Sequence, residues 1–228
     1  MYKPLVLVKT WYIRKHKPLP MKFKISLMVF CLAISIVVTA QTADKKKPAM
    51  SKKDSLMLAK FNAKGIYPAI KASKFSGVLP VEGVTEKPDV NLKYKLLISL
   101  ASGTNDAEKV KELNRGLAEA GRLINLHLAA GISKSNLEVV IVTHGKALYA
   151  LLNNDAFKKQ FKADNPNAAI VKELEDVGAK FIACGQAMQF LEIKNEELMP
   201  EVKIAMSAKT ALSTYQLKGY VLYEVDEE

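Results

Sequence analysis

The sequence contains only two cysteines in 228 residues, Cys31 and Cys184. Cys31 lies in an N-terminal stretch that has the features of a cleavable signal, so the mature chain keeps one thiol and can form no internal disulfide. An exported protein without disulfides must be stabilised by its hydrophobic core alone. The scarcity of cysteine therefore excludes a fold that depends on internal disulfides.

Residues 1–40 are predicted to be a signal peptide. Basic residues in the stretch 14–24 precede the apolar run Ile25–Val38, and Ala40 supplies a small residue where a signal peptidase cuts. This order predicts cleavage after Ala40 and a periplasmic or otherwise secreted protein. The run is shorter than the roughly 20 residues that a membrane helix needs, so we expect no stable membrane span after cleavage. An uncleaved anchor is the alternative.

The rest of the chain divides into three predicted parts. Residues 41–60 are rich in lysine and poor in apolar residues, which favours a flexible tether. Residues 61–91 carry scattered glycines and prolines and are predicted to form an irregular arm, with one short helix near Ser55–Asn62. Residues 92–228 are predicted to form the folded domain. Met21 is an alternative start for the chain.

The net charge of +11 does not describe the folded domain. Residues 1–40 hold seven basic and no acidic residues, and residues 41–64 hold seven lysines against two aspartates. Residues 65–228 then carry 20 basic and 21 acidic residues and are close to neutral. We therefore expect no nucleic acid among the partners, because binding to phosphates needs a basic surface on the domain itself.

Apolar runs of strand length alternate with helical patterns from residue 92 onward. The predicted strands are residues 94–100, 137–143, 180–183, 202–206 and 220–225. Strands that alternate with helices require right-handed crossovers and parallel pairing. The sequence therefore predicts an α/β fold, a three-layer α/β/α domain with a mostly parallel five-stranded sheet.

The helix after the first predicted strand has clear signals at both ends. Asn105 followed by Glu108 is typical of a capping box, which predicts the start of the helix. Gly131 is predicted to end it in the left-handed conformation.

Two residues near the ends of predicted strands can take part in covalent or acid–base chemistry. Cys184 follows the third strand and precedes Gly185 and a short helix, a position where free N–H groups stabilise a thiolate. His144 follows the second strand and could accept the thiol proton if the two strands are neighbours. The alternatives are a buried, inert cysteine and a structural histidine. A sulfur-based function requires the thiol to be reachable from solvent at this edge of the sheet.

Other chemistries lack the residues that they need. The mature chain offers two histidines and one cysteine, so no metal is expected, because zinc needs three or four converging ligands. Neither phosphate-binding glycine motif follows a strand, so no nucleotide cofactor is expected. A cysteine hydrolase would need a group to orient His144, and no Asn or Asp is evidently placed to do so. A thiol–disulfide oxidoreductase would need a second cysteine near the first.

The segment Phe181–Met188, which contains Cys184, resembles the DsrE/DsrF-like family of sulfur-relay proteins. Residues 191–193 and 197–202, the segment Val139–Gly145 and residues 211–220 extend the resemblance, which covers about residues 92–225. In that family a strand ends in a cysteine, and a short helix and an acidic turn follow. The resemblance implies a three-layer α/β/α domain that forms homo-oligomers, often trimers or hexamers.

The resemblance also implies that Cys184 receives and passes sulfur as a persulfide, either as a sulfurtransferase or as a carrier. His144 is then a supporting catalytic residue, and Gly185 and Gln186 are candidate substrate-binding residues. A sulfur donor or acceptor protein is the expected partner. The rival interpretation is a non-catalytic envelope module that binds a small ligand or another protein.

Overall fold

The centre of the protein is a parallel β-sheet within residues 50–225, the part of the chain that this computed structural model describes. The sheet has the order β4-β3-β2-β1-β5, and each pair of neighbours is parallel. The strands are β1 Tyr94–Leu100, β2 Leu137–Thr143, β3 Lys180–Cys184, β4 Lys203–Ala205 and β5 Val221–Val225. The predicted five-stranded sheet is confirmed. The predicted signal peptide and residues 41–49 of the predicted tether lie outside the described residues.

Helices cover both faces of the sheet, which confirms the three-layer α/β/α fold. The α-helices of the described region are α1 Lys52–Lys64, α2 Arg115–Ala129, α3 Asn154–Phe161, α4 Ala168–Asp176, α5 Gly185–Phe190 and α6 Ala208–Leu217. Side chains alternate along each strand. Leu96 and Ile98 of β1 therefore pack in the larger core with α2, α4 and α5, whereas Leu97 packs in the smaller core against α6.

The N-cap of helix α2 lies nine residues after the predicted cap at Asn105, and that prediction is wrong. The carboxylate of Asp106 accepts the backbone N–H groups of Glu108 and Lys109, which forms a local turn where a helix was expected. The side chain of Asn114 accepts the N–H of Leu117 and is the actual N-cap. At the other end, the left-handed Gly131 is confirmed by its φ of +92°.

The segment of residues 65–78 that precedes β1 is attached to α2 and α4 by side-chain hydrogen bonds to its backbone. The fully buried side chain of Asn125 accepts the N–H groups of Ala69 and Ile70 and donates to the carbonyls of Ile70 and Ser76. The carboxylate of Glu173 accepts two further N–H groups of this segment. These bonds give the irregular backbone the partners that a helix or sheet would supply.

Helix α1 crosses the predicted border between tether and arm at residues 60 and 61. It is longer than the short helix expected near Ser55–Asn62. Phe61 is the buried residue through which α1 enters the core. No helix within residues 50–225 has the length and apolar character needed to cross a bilayer.

Candidate functional site

Three polar or reactive side chains lie on the α6 face at the carboxyl ends of adjacent strands. Cys184 ends β3, His144 directly follows β2, and Ser99 is the penultimate residue of β1. The β2–β3 register pairs Thr143 with Ala183, so its continuation by one residue sets His144 beside Cys184. On the other side of β2, the His144 N–H donates to the Leu100 carbonyl of β1 at 3.0 Å, so the parallel β1–β2 ladder reaches His144.

The Cys184 side chain is largely buried by neighbouring parts of the same chain. It is 6% exposed and belongs to the smaller core with Ile182, Ala208 and Ala211. The cause is strand alternation: Cys184 faces the same side as Ile182, and α6 packs over that side. A thiol open to solvent was required by the sequence-based hypothesis, and the structure instead gives a largely buried thiol.

Cys184 also precedes a helix of only six residues, α5. It occupies the N-cap position, but its sulfur accepts no N–H hydrogen bond from that helix. The sequence predicts that this helix end stabilises a thiolate, but in this conformation no hydrogen bond from the helix to the sulfur contributes to such stabilisation. The buried cluster that contains Cys184 is formed by apolar residues of β1, β2, β3 and α6.

His144 is held by a serine on the neighbouring strand. Its Nε2 atom lies 3.2 Å from the Oγ atom of Ser99. His144 is partly exposed, whereas Ser99 is 8% exposed. An imidazole with one nitrogen engaged in this way has a restricted ring orientation, and its tautomer depends on whether the serine donates or accepts.

Gly185 has a packing role that needs no ligand. A Cβ atom at this position would lie 2.8 Å from the Ala205 carbonyl oxygen and 3.3 Å from that of Met206. Glycine is therefore needed because the connection from β4 to α6 passes against the backbone after Cys184. Gln186 is exposed, and its Nε2 donates to the Met206 sulfur at 3.7 Å, so it points toward the same connection.

Within residues 50–225, no three His, Cys, Asp or Glu side chains converge as metal ligands. Two surface depressions of about 370 and 460 Å³ lie along the segment that precedes β1, and Cys184 lines neither of them. The chemically active side chains that the structure brings to this edge of the sheet are a thiol, an imidazole and a hydroxyl.

Ser99 is the residue that sequence reasoning did not assign to the site. It is the one polar side chain in the run Leu96–Leu100, which is otherwise buried and apolar. That interruption is a signal, but its meaning depends on the pairing of β1 with β2, which sets Ser99 opposite Val142 and within reach of His144. Local sequence patterns do not specify that pairing.

The fold and the site define the class of the protein. It is an α/β protein, and the single cysteine of its described residues lies at the carboxyl edge of a parallel sheet. Residues 103–223, more than half of the chain, match the DsrE/DsrF-like family, and the chain belongs to that family. The matched region contains His144, Cys184, Gly185 and Gln186. Among curated proteins, none gives a significant match to the chain.

Two solved structures are similar to part of the chain. One is the protein of unknown function MTH1491 from Methanobacterium thermoautotrophicum, at 17% identity and a TM-score of 0.41, covering 57% of this chain and 98% of that one. The other is the ychN protein from E. coli, also at 17% identity and a TM-score of 0.41, covering 59% of this chain and 99% of that one.

Proposed function

We propose that this protein carries sulfane sulfur as a persulfide on Cys184. Membership of the DsrE/DsrF-like family supports a role in sulfur relay. The position of Cys184 at the carboxyl end of β3, where parallel α/β sheets bind their ligands, is the observation that carries the proposal. His144 on the adjacent strand supplies a group that can take the thiol proton.

The reaction is a thiol exchange with a polysulfide. The Cys184 thiolate attacks a terminal sulfur atom of the polysulfide, an S–S bond forms at Cys184, and the S–S bond that joined this atom to the rest of the polysulfide breaks. The polysulfide leaves one sulfur shorter with the electron pair of the broken bond, and the thiol proton passes to His144 or to water. Return of the sulfur to an acceptor thiol reverses these steps.

The low exposure of Cys184 limits the donors that can react directly. Ala208 and Ala211 cover the thiol with small side chains, so a slender inorganic polysulfide is a better match to the remaining access than a bulky protein disulfide. Reaction with a protein donor requires the connection from β4 to α6 to move. We therefore expect small sulfur anions to load the native protein faster than large ones.

Cyanide-labile sulfur tests this proposal. The mature chain is incubated with inorganic polysulfide and freed of excess reagent, and the thiocyanate released by cyanide is counted per chain. We expect about one sulfur per chain in the wild type and none in Cys184→Ser, which keeps nearly the same volume. A His144→Gln variant is expected to load more slowly. Equal release from wild type and Cys184→Ser would overturn the proposal.

A second candidate function is supported by the burial of Cys184. A thiol that is 6% exposed within an apolar cluster is also what an inert core cysteine looks like. The protein would then be a non-catalytic envelope module that binds a small ligand or another protein. Alkylation by a small neutral reagent separates the two: labelling that occurs only after denaturation favours the module, and labelling of the native protein favours the sulfur carrier.

Export and assembly complete the proposal. The basic, apolar and small residues of positions 1–40 support a signal peptide and a periplasmic or secreted location, and N-terminal sequencing of exported protein is expected to begin at Gln41. Family resemblance supports a homo-oligomer, a trimer or hexamer. Phe190 and Leu217 are 89% and 90% exposed in the single chain, so assembly has apolar surface to bury. Light scattering measures the number of subunits.

A further inference from the structure

The hydroxyl of Ser99 is buried and has one side-chain partner among the described residues. Its Oγ lies 3.2 Å from His144 Nε2, and Ser99 itself is 8% exposed. Leu97 and Val142, which share this face of the sheet, are apolar and fully buried. A hydroxyl in such surroundings is costly unless it is hydrogen-bonded, so the imidazole is the group that satisfies it.

The sheet register explains why this contact forms. Ser99 lies opposite Val142, and His144 is two residues further along on the same face. The continued β2–β3 register then sets Cys184 on the far side of His144 from β1. Ser99, His144 and Cys184 thus come from three adjacent strands, with the histidine in the middle.

We propose that Ser99 is a positioning residue that acts on Cys184 through His144. The hydrogen bond engages Nε2 of the imidazole, which limits ring rotation and sets which tautomer is favoured. Proton exchange with the thiol, or with the persulfide that it forms, then depends on the Ser99–His144 pair rather than on His144 alone. This inference rests on the proposed role of Cys184 as the sulfur-bearing residue.

Charged residues occur along the same face of the sheet, and Lys95, Glu138 and Lys180 lie toward the amino ends of β1, β2 and β3. Glu224 of β5 pairs in register with Ser99, and Lys203 of β4 pairs with Ile182, and both side chains are exposed to solvent. Helix α6 turns Ala208 and Ala211 toward the sheet. Solvent screens the exposed charges, and the serine hydroxyl lies within hydrogen-bond distance of the imidazole Nε2.

Five variants of the mature chain test the inference. Ser99→Ala removes the hydroxyl, and Ser99→Thr restores it with a side chain suited to a strand. Ser102→Ala is the matched control, because that hydroxyl donates to the Val225 carbonyl at the same edge of the sheet. His144→Gln, alone and combined with Ser99→Ala, asks whether the serine acts through the histidine.

Two measurements are made on each variant. The first is the pH titration and tautomer of His144 from its imidazole nitrogen chemical shifts, which needs no reaction at the thiol. The second is the pH dependence of Cys184 alkylation. For Ser99→Ala we expect a shifted His144 titration and a change of about three- to tenfold in alkylation rate near neutral pH, the size of one lost hydrogen bond. Ser99→Thr should behave like the wild type, as should Ser102→Ala.

The outcomes separate this inference from the proposed function. An unchanged His144 titration in Ser99→Ala overturns the positioning role of Ser99. The same holds if Ser99→Ala changes the alkylation rate equally in the wild type and in the His144→Gln background. If Cys184 takes up no sulfur but the Ser99→Ala shift is present, the sulfur-carrier proposal fails while the coupling of Ser99 to His144 stands.

Discussion

Replacement of Asn125 by alanine is expected to release the segment that precedes β1 from helix α2. Asn125 is fully buried and makes four hydrogen bonds of 2.8–3.0 Å to the backbone of Ala69, Ile70 and Ser76. Alanine keeps the helix intact because it has a high helix propensity. The substitution therefore removes the contact and leaves α2 itself undisturbed.

The expected magnitude follows from the number of bonds. Each neutral hydrogen bond contributes about 0.5–1.5 kcal/mol, so four bonds correspond to about 2–6 kcal/mol if the segment stays docked with its partners unpaired. The segment can instead detach from the domain, so that water binds the unpaired backbone groups. Detachment exposes Ile70 and Val78, which are buried in the docked segment. The loss of stability is therefore limited by the free energy with which the segment is docked, and local release is expected before global unfolding.

Limited proteolysis and urea unfolding measure the two effects separately. Lys71 and Lys74 are exposed side chains on this segment, and trypsin is expected to cut after them faster in Asn125→Ala than in the wild type. Asn136→Ala is the matched control, because Asn136 makes one exposed bond, to the Val90 carbonyl. Unchanged cleavage together with a stability within about 0.5 kcal/mol of wild type would refute the reasoning.

Two further predictions concern residues at the ends of strands: Gly185 follows β3, and Tyr220 precedes β5. In Gly185→Ala the new Cβ would meet the Ala205 carbonyl oxygen at 2.8 Å, so we expect a loss of about 1–3 kcal/mol in urea unfolding; unchanged stability would contradict the packing role. Burial, followed by the hydrogen bond to Glu138, raises the pKa of Tyr220 to about 12. The folded state then keeps a proton that the unfolded chain loses above its ordinary pKa of 10.0, so stability should fall as pH rises from 10.0 to about 12. Ultraviolet titration of the wild type against Tyr220→Phe identifies this group, and Glu138→Gln should lower its pKa; no change in that variant would contradict the assignment.

The strands could be predicted from the sequence because their signals are local. β1 and β2 have the predicted ends, since each is a mostly apolar run of strand length. The start of α2 could not be predicted, because Asn105 and Asn114 are both good capping residues. The choice between them depends on the distant Asn167, whose side chain accepts the N–H of Asn114 at 2.7 Å.

The candidate site could be predicted in part for the same reason. Cys184 and His144 were found because each follows a strand, and strand ends can be recognised locally. The cover that α6 provides over Cys184, and the contact of Ser99 with His144, depend on which strands are neighbours and in which register. Those are long-range properties, which one sequence does not specify.

Whether the Cys184 thiol of the native protein accepts a sulfur atom is measured most directly by intact mass. The mature chain is exposed briefly to inorganic polysulfide under native conditions, and its mass is compared with that of Cys184→Ser treated in the same way. We expect a gain of about 32 Da, one sulfur atom, in the wild type alone. A wild-type mass that stays unchanged, or the same gain in both proteins, would contradict the account.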